Sequence, residues 1–76
     1  MPVIGEVRIE RSQFRSIVSY EVHSYRFDIF EEYIDWYVCY SEDQQCLFSR
    51  LRDAKILANA QKPAWQKKIS VTKMEP

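Results

Sequence analysis

Seventy-six residues, eleven acids balanced by eleven Lys and Arg, and an apolar share of 46% describe one small folded α+β domain over residues 1–76. The single glycine argues against a glycine-rich phosphate loop, and the acid and base within the first eight residues argue against a secretory leader. No apolar run is long enough to cross a membrane, so the expectation is a cytoplasmic protein with reduced thiols and no membrane partner.

The zero net charge conceals a strong segregation. Residues 1–45 carry nine acids and four bases, and residues 46–76 carry seven bases and two acids. Between Phe27 and Ser49 there is no Lys or Arg, while Asp28, Glu31, Glu32, Asp35, Glu42 and Asp43 all fall there. Seven of the eleven aromatic residues lie between Tyr25 and Tyr40. A chain this short buries only about 60% of its unfolded surface. Large rings and self-association are two ways to extend so small a core.

Along the chain, Val3–Glu10 reads as a strand, with Val7 and Ile9 alternating against Glu6, Arg8 and Glu10. Arg11-Ser12-Gln13 reads as the connection. Phe14–Ile29 is the clearest β-region. Val18, Tyr20 and Val22 are apolar at even positions, then Tyr25, Phe27 and Ile29 at odd ones. A period-two pattern changes parity at an extra residue or a turn, so a bulge is expected within Val22–Tyr25. Tyr33–Tyr40 fits a strand or a helical stripe, and its run of β-branched and aromatic residues favours the strand. Glu31-Glu32 then falls in the preceding turn. Ile34, Trp36, Val38 and Tyr40 share the expected core side, and Tyr33, Asp35, Tyr37 and Cys39 the other.

Ser41–Gln45 reads as a turn and Cys46–Phe48 as a short returning strand. Ser49 suits the N-cap of a helix from Arg50 to Gln61, with Leu51, Ala54, Leu57 and Ala58 as its apolar face and Pro63 after its end. Lys67–Lys73 alternates Ile69 and Val71 with polar neighbours and reads as the last strand. The expected architecture is therefore α+β: a small antiparallel sheet, order β-β-β-α-β along the chain, with one helix packed on one face.

Little in the sequence announces catalysis. His23 is the only histidine and lacks metal-site spacing, so it reads as an ordinary strand residue. The carboxylates of Asp28–Asp43 read as a solvated face, and the serines lack the glycines of a nucleophile elbow. The chain is accordingly read as non-enzymatic, with no catalytic residue, cofactor, metal or small-molecule substrate. Cys39 and Cys46 would oppose each other if two strands paired around a loop at Glu42-Asp43, which would allow a cross-strand disulfide; otherwise they are reduced thiols.

Two binding surfaces are expected. One faces a protein partner or a second copy in a homodimer, through Tyr33, Asp35 and Tyr37 and through Ile56 and Ala60. Ile56 lies about 140° around the helix from Leu51, off the apolar face. Charge segregation favours such complementary association. An acidic, Tyr-rich surface can also imitate nucleic acid toward a basic target, which by analogy suggests a regulatory module or an accessory protein of a mobile element. The alternative is nucleic-acid binding through Arg50, Arg52, Lys55, Lys62, Trp65, Lys67 and Lys68, where bases neutralise phosphates and a ring stacks on a nucleobase.

Overall fold

In the computed structural model, which describes residues 1–74, an eleven-residue strand organises the chain. This strand, β2 (Ile17–Phe27), pairs antiparallel with β1 (Val7–Phe14) on one side and with β3 (Ile34–Val38) on the other. After β3 comes α1 (Leu51–Gln61) and then β4 (Ser70–Met74). The sheet order is β3-β2-β1-β4. The α+β class and the order β-β-β-α-β stand as read from the sequence, but β4 joins β1 in parallel, so the sheet is mixed. By these pairings β3 and β4 run the same way. Parallel strands need a long crossover, and this one carries α1 over β1 and β2 while leaving β3 and β4 untouched by the helix.

The core lies between α1 and those two central strands. Val7, Ile9 and Val22 from the sheet meet Ala54, Leu57 and Ala58 from the helix, with Cys39 and Phe48 closing one side. The apolar face expected for α1 is the one buried. Its N-cap is Arg50 rather than Ser49, with no side-chain cap, because the first helical bonds run to the Arg50 carbonyl.

Three strand boundaries move. The first strand begins at Val7 and continues through Arg11-Ser12-Gln13, the segment expected to connect, because Phe14 pairs with Ile17 across the two-residue turn Arg15-Ser16. Arg15 takes a positive φ of 58°, a region most residues avoid. Upstream, Val3–Glu6 forms a tight turn in which Gly5 has φ 98° and lies against Pro63 and Trp65. The last strand starts at Ser70 rather than Lys67. Before it, the side-chain amide of Gln66 substitutes for a strand residue. The Val7 N–H donates to Gln66 Oε1 at 2.8 Å, and Gln66 Nε2 donates to the Val7 carbonyl at 2.7 Å and the Lys68 carbonyl at 2.8 Å. An amide carries both a donor and an acceptor, so it can satisfy both backbone groups of Val7.

The expected bulge at Val22–Tyr25 is absent. Both registers run unbroken through this stretch of β2, including Val7↔Ser24, His23↔Val38 and Tyr25↔Trp36. Parity changes because the strand has apolar neighbours first on one face and then on the other. Up to Val22 they face the helix; Tyr25 and Phe27 face away from it.

Tyr33–Tyr40 does contain a strand, though its sides are the reverse of those expected. Trp36 pairs with Tyr25 on the face away from α1, and Cys39 is the residue turned into the core. Cys46–Phe48 contributes only one bridge, Phe48 to Tyr20. Between Cys39, whose N–H donates to the Val22 carbonyl, and Phe48, the chain loops away from β2. Ser41 closes that loop, accepting the Gln44 N–H on its carbonyl and the Gln45 N–H on its hydroxyl. Cys39 and Cys46 therefore do not oppose each other, and both are free thiols.

Candidate protein-interaction surface

At the far end of β2 and β3 the sequence Asp28-Ile29-Phe30-Glu31-Glu32-Tyr33 makes an ordered connection. The Asp28 N–H donates to the Tyr33 carbonyl at 2.9 Å, the Glu31 N–H to the Asp28 carbonyl at 3.0 Å, and the Glu32 N–H to Asp28 Oδ1 at 2.8 Å. One aspartate thus makes three of the turn's bonds, donating its own N–H and accepting one neighbouring amide on its carbonyl and another on its short carboxylate. The turn is fixed without apolar burial, so its large side chains remain outside. Ile29 is 87% exposed, Phe30 72% and Tyr33 67%. Phe27 and Ile34, cross-strand partners at its base, are also exposed. Single exposed apolar residues are ordinary, but five fall within this one hairpin tip, with Phe27 and Ile34 on the face away from α1 and Ile29 beside Tyr37 on the other, and concentrated apolar exposure marks interaction sites. Glu31, Glu32 and Asp35, all exposed, put negative charge around it.

Below the tip, the sheet face away from α1 is closed by charge rather than by a helix. Arg8 reaches from β1 across β2 and places its guanidinium 3.9 Å from the centroid of Trp36 on β3. The same guanidinium binds Glu10, with Nη2 to Oε2 at 3.0 Å and Nε to Oε2 at 3.3 Å. Glu10 is buried as a result, at 7% exposure. His23 lies beside it, Nδ1 at 3.0 Å from Glu10 Oε2 and Nε2 at 3.5 Å from Glu21 Oε1. Both ring nitrogens are shut off from solvent and neither makes a well-aligned hydrogen bond. Tyr25 packs on Trp36 with ring centroids 5.4 Å apart. His23 is thus the partly exposed strand residue that alternation suggests, with the carboxylates of Glu10 and Glu21 beside it.

The residues singled out from the sequence do not form one surface. Tyr33 and Asp35 are exposed at the tip and on β3, and Tyr37 is half-buried on the α1 side of β3. Partial burial raises the Tyr37 phenol pKa above its ordinary value, reinforced by the Asp28 and Asp35 carboxylates and opposed by Arg26. Ile56 and Ala60 lie on α1 and line a different hollow, with Phe48, Leu57, Glu42 and Asp53. Since α1 makes no contact with β3, the two groups stay apart. Ile29, Phe30, Phe27 and Ile34, the other exposed apolar residues of the tip, are not among those singled out, although their interleaving with Asp28, Glu31 and Glu32 is visible in the sequence.

The basic candidates also divide. Arg50, Arg52 and Lys55 are exposed at the start of α1, and Lys67 and Lys68 are exposed before β4. Lys62 turns back to the Gln66 carbonyl at 3.4 Å. Trp65 is 52% exposed, with one edge against Gly5. Among the described residues no three His, Cys, Asp or Glu side chains converge as metal ligands, and no helix is long and apolar enough to cross a membrane. The chain matches no known protein family, no characterised protein and no solved structure.

Proposed function

We propose that this chain is a small, non-enzymatic protein-binding module that presents its β2–β3 tip to a partner. The observation that carries this reading is the exposure of Phe27, Ile29, Phe30, Tyr33 and Ile34 on a turn already ordered by Asp28. An ordered apolar turn loses little conformational freedom on binding. The acidic rim selects a partner whose apolar cleft is bordered by Lys or Arg.

A second copy offers such charge. α1 starts just after Phe48, which bridges to Tyr20, and ends at Gln61, which shares a hollow with Ser24. Arg50, Arg52 and Lys55 therefore stand toward the end of the molecule away from the tip. Two copies turned end for end would bring each acidic tip toward the other's basic helix start, a closed two-fold arrangement. The free thiols support a reducing compartment, the cytoplasm.

Light scattering across a concentration series tests this reading. The wild-type chain is expected to pass from monomer to dimer, and Phe30→Glu to remain monomeric with unchanged circular dichroism. A wild-type chain that stays monomeric at ~1 mM, where even a weak complex of about 4 kcal/mol would be populated, rules out the homodimer.

Trp65, half exposed beside exposed Lys67 and Lys68, supports a second reading as a contact for single-stranded nucleic acid. Retention of an oligonucleotide that weakens with salt and with Trp65→Ala would favour it over the tip.

A further inference from the structure

The α1 side of β3, which the helix does not cover, holds an arginine with an unusual set of partners. Arg26 and Asp35 face each other across β2 and β3. Such a pair ordinarily makes a cross-strand ion pair. Here Asp35 turns its Oδ1 to the Trp36 N–H at 2.7 Å. Arg26 instead donates Nε to Ser24 Oγ at 2.7 Å and Nη2 to the Val38 carbonyl at 3.0 Å. Both acceptors are neutral. Among the described residues no carboxylate lies within 4.0 Å of its guanidinium. A half-buried cation normally has a counter-charge.

Two hollows meet at this arginine. One, of about 350 Å³, is lined with Ser24, Cys39 and Gln61. The other, of about 310 Å³, is lined with Ile29, Tyr37 and Tyr40 as well as Asp28. Arg26, Val38 and Tyr40 border both. The Tyr37 ring centroid lies 5.5 Å from the guanidinium carbon. A guanidinium has five N–H donors, and the two bonds to Ser24 and Val38 fix its plane while leaving Nη1 unengaged by the described side chains. A pre-oriented fork of this kind suits an oxyanion. Ile29, Tyr37 and Tyr40 suit the apolar body attached to it, held against an open hollow rather than enclosed.

We infer that Arg26, with Tyr37 and Tyr40, forms a binding site for a small organic carboxylate, its anionic group on the guanidinium and its ring or branched body between the two tyrosines. Asp28, which lines the same hollow, and Asp35, the cross-strand partner of Arg26, repel any anion, and a phosphate dianion about twice as strongly as a monoanion, so a carboxylate is the better match. The site lies on the opposite side of the sheet from the Arg8–Trp36 cluster, and it does not rest on the tip acting as a protein contact.

Benzoate and phenyl phosphate, titrated separately into the full chain at neutral pH and followed by NMR, test the assignment. Benzoate is expected to shift the Arg26 Nε–H and the Tyr37 and Tyr40 ring signals with a dissociation constant on the order of millimolar, and phenyl phosphate to bind more weakly. Arg26→Gln should weaken benzoate about tenfold, which is what losing one charge-assisted contact costs. Because Arg26 also holds Val38, Tyr40→Ala serves as a second variant; it removes an exposed ring and should weaken benzoate several-fold with the fold intact. Absence of localised shifts up to about 50 mM benzoate, or an affinity unchanged from wild type in both variants, would overturn the site. Equal or tighter binding of phenyl phosphate would overturn its monoanion preference. Phe30→Glu should leave the benzoate titration unchanged.

Discussion

The two faces of the central strands are covered by different means. On one, α1 lays Ala54, Leu57 and Ala58 over Val7, Ile9 and Val22. On the other, Arg8 lies over Trp36 and buries Glu10 and much of His23. The first cover gains its energy from apolar area and tolerates no polar atom without a partner. The second uses charge, so each member depends on the others. A helix is also wide enough to seal a face from solvent, whereas one arginine side chain seals only what lies beneath it. That is why the apolar residues at both ends of the second face, Phe14 and Ile17 at one and Phe27 and Ile34 at the other, stay exposed.

The sharpest way to break the comparison is to damage each cover and weigh the results. Ile9 is fully buried under α1. Ile9→Ala is expected to cost about 2–5 kcal/mol in urea unfolding, and Ile9→Val about 1 kcal/mol, in proportion to the methyl groups removed. Glu10→Gln keeps the shape of the second cover and removes its negative charge. Arg8 then keeps its stacking on Trp36 and at most a neutral hydrogen bond to the new amide oxygen, and the expected loss is about 1–3 kcal/mol. Because Glu10 is buried, that loss should persist in high salt. A loss that vanishes with added salt would mean that the cluster is solvated and that Arg8 covers nothing.

This difference also explains what could be read in advance. Leu51, Ala54, Leu57 and Ala58 recur at helical spacing, so α1 and its buried face were legible. The β-strands were legible too, because alternation survives wherever one face is wet. Alternation fails at Val22–Tyr25, where β2 passes from the cover of α1 to the side of Trp36, because the same residue pattern also fits a bulge. Glu10 and His23 read as outward-facing polar residues, and they do face away from α1. What hid their burial was Arg8, whose reach across β2 is a matter of rotamer and not of spacing. The parallel docking of β4 was illegible for a related reason, since the Gln66 side chain sets its start. In the candidate interface, the acids and rings of Asp28–Tyr33 were visible, but their exposure follows from the backbone bonds to Asp28.

The hairpin joining the two covered strands offers a smaller test. Arg15 occupies a positive φ that glycine adopts freely, and its carbonyl accepts a bond from Gln13 Nε2 at 3.0 Å. Arg15→Gly removes the Cβ strain without removing that carbonyl, so it is expected to stabilise the chain by about 1 kcal/mol. The gain should leave the penalties of Ile9→Ala and Glu10→Gln unchanged, because the turn belongs to neither cover. An Arg15→Gly chain no more stable than wild type would mean that the arginine side chain makes up for its own strain, and its guanidinium over the Phe14 ring, 5.3 Å from the centroid, is the contact to remove next.

The smallest expected effect comes from the part of the sheet that neither cover reaches. Tyr37 sits on the helix side of β3, beyond α1, with its phenol pKa raised by partial burial and then by Asp28 and Asp35. A raised pKa means that folding favours the protonated phenol. The stability it contributes is therefore whole below about pH 10, the ordinary tyrosine value, and is lost as pH climbs through the raised value. Other tyrosines and the lysines titrate in the same range, so the informative quantity is a difference. Urea midpoints measured from about pH 9 upward should fall more steeply for the wild-type chain than for Tyr37→Phe, and the two should run parallel at lower pH. Parallel curves throughout would mean that the phenol is as free in the folded chain as in the unfolded one. The flank of β3 would then be open water, with the Arg26 guanidinium over the ring too solvated to shield the phenol.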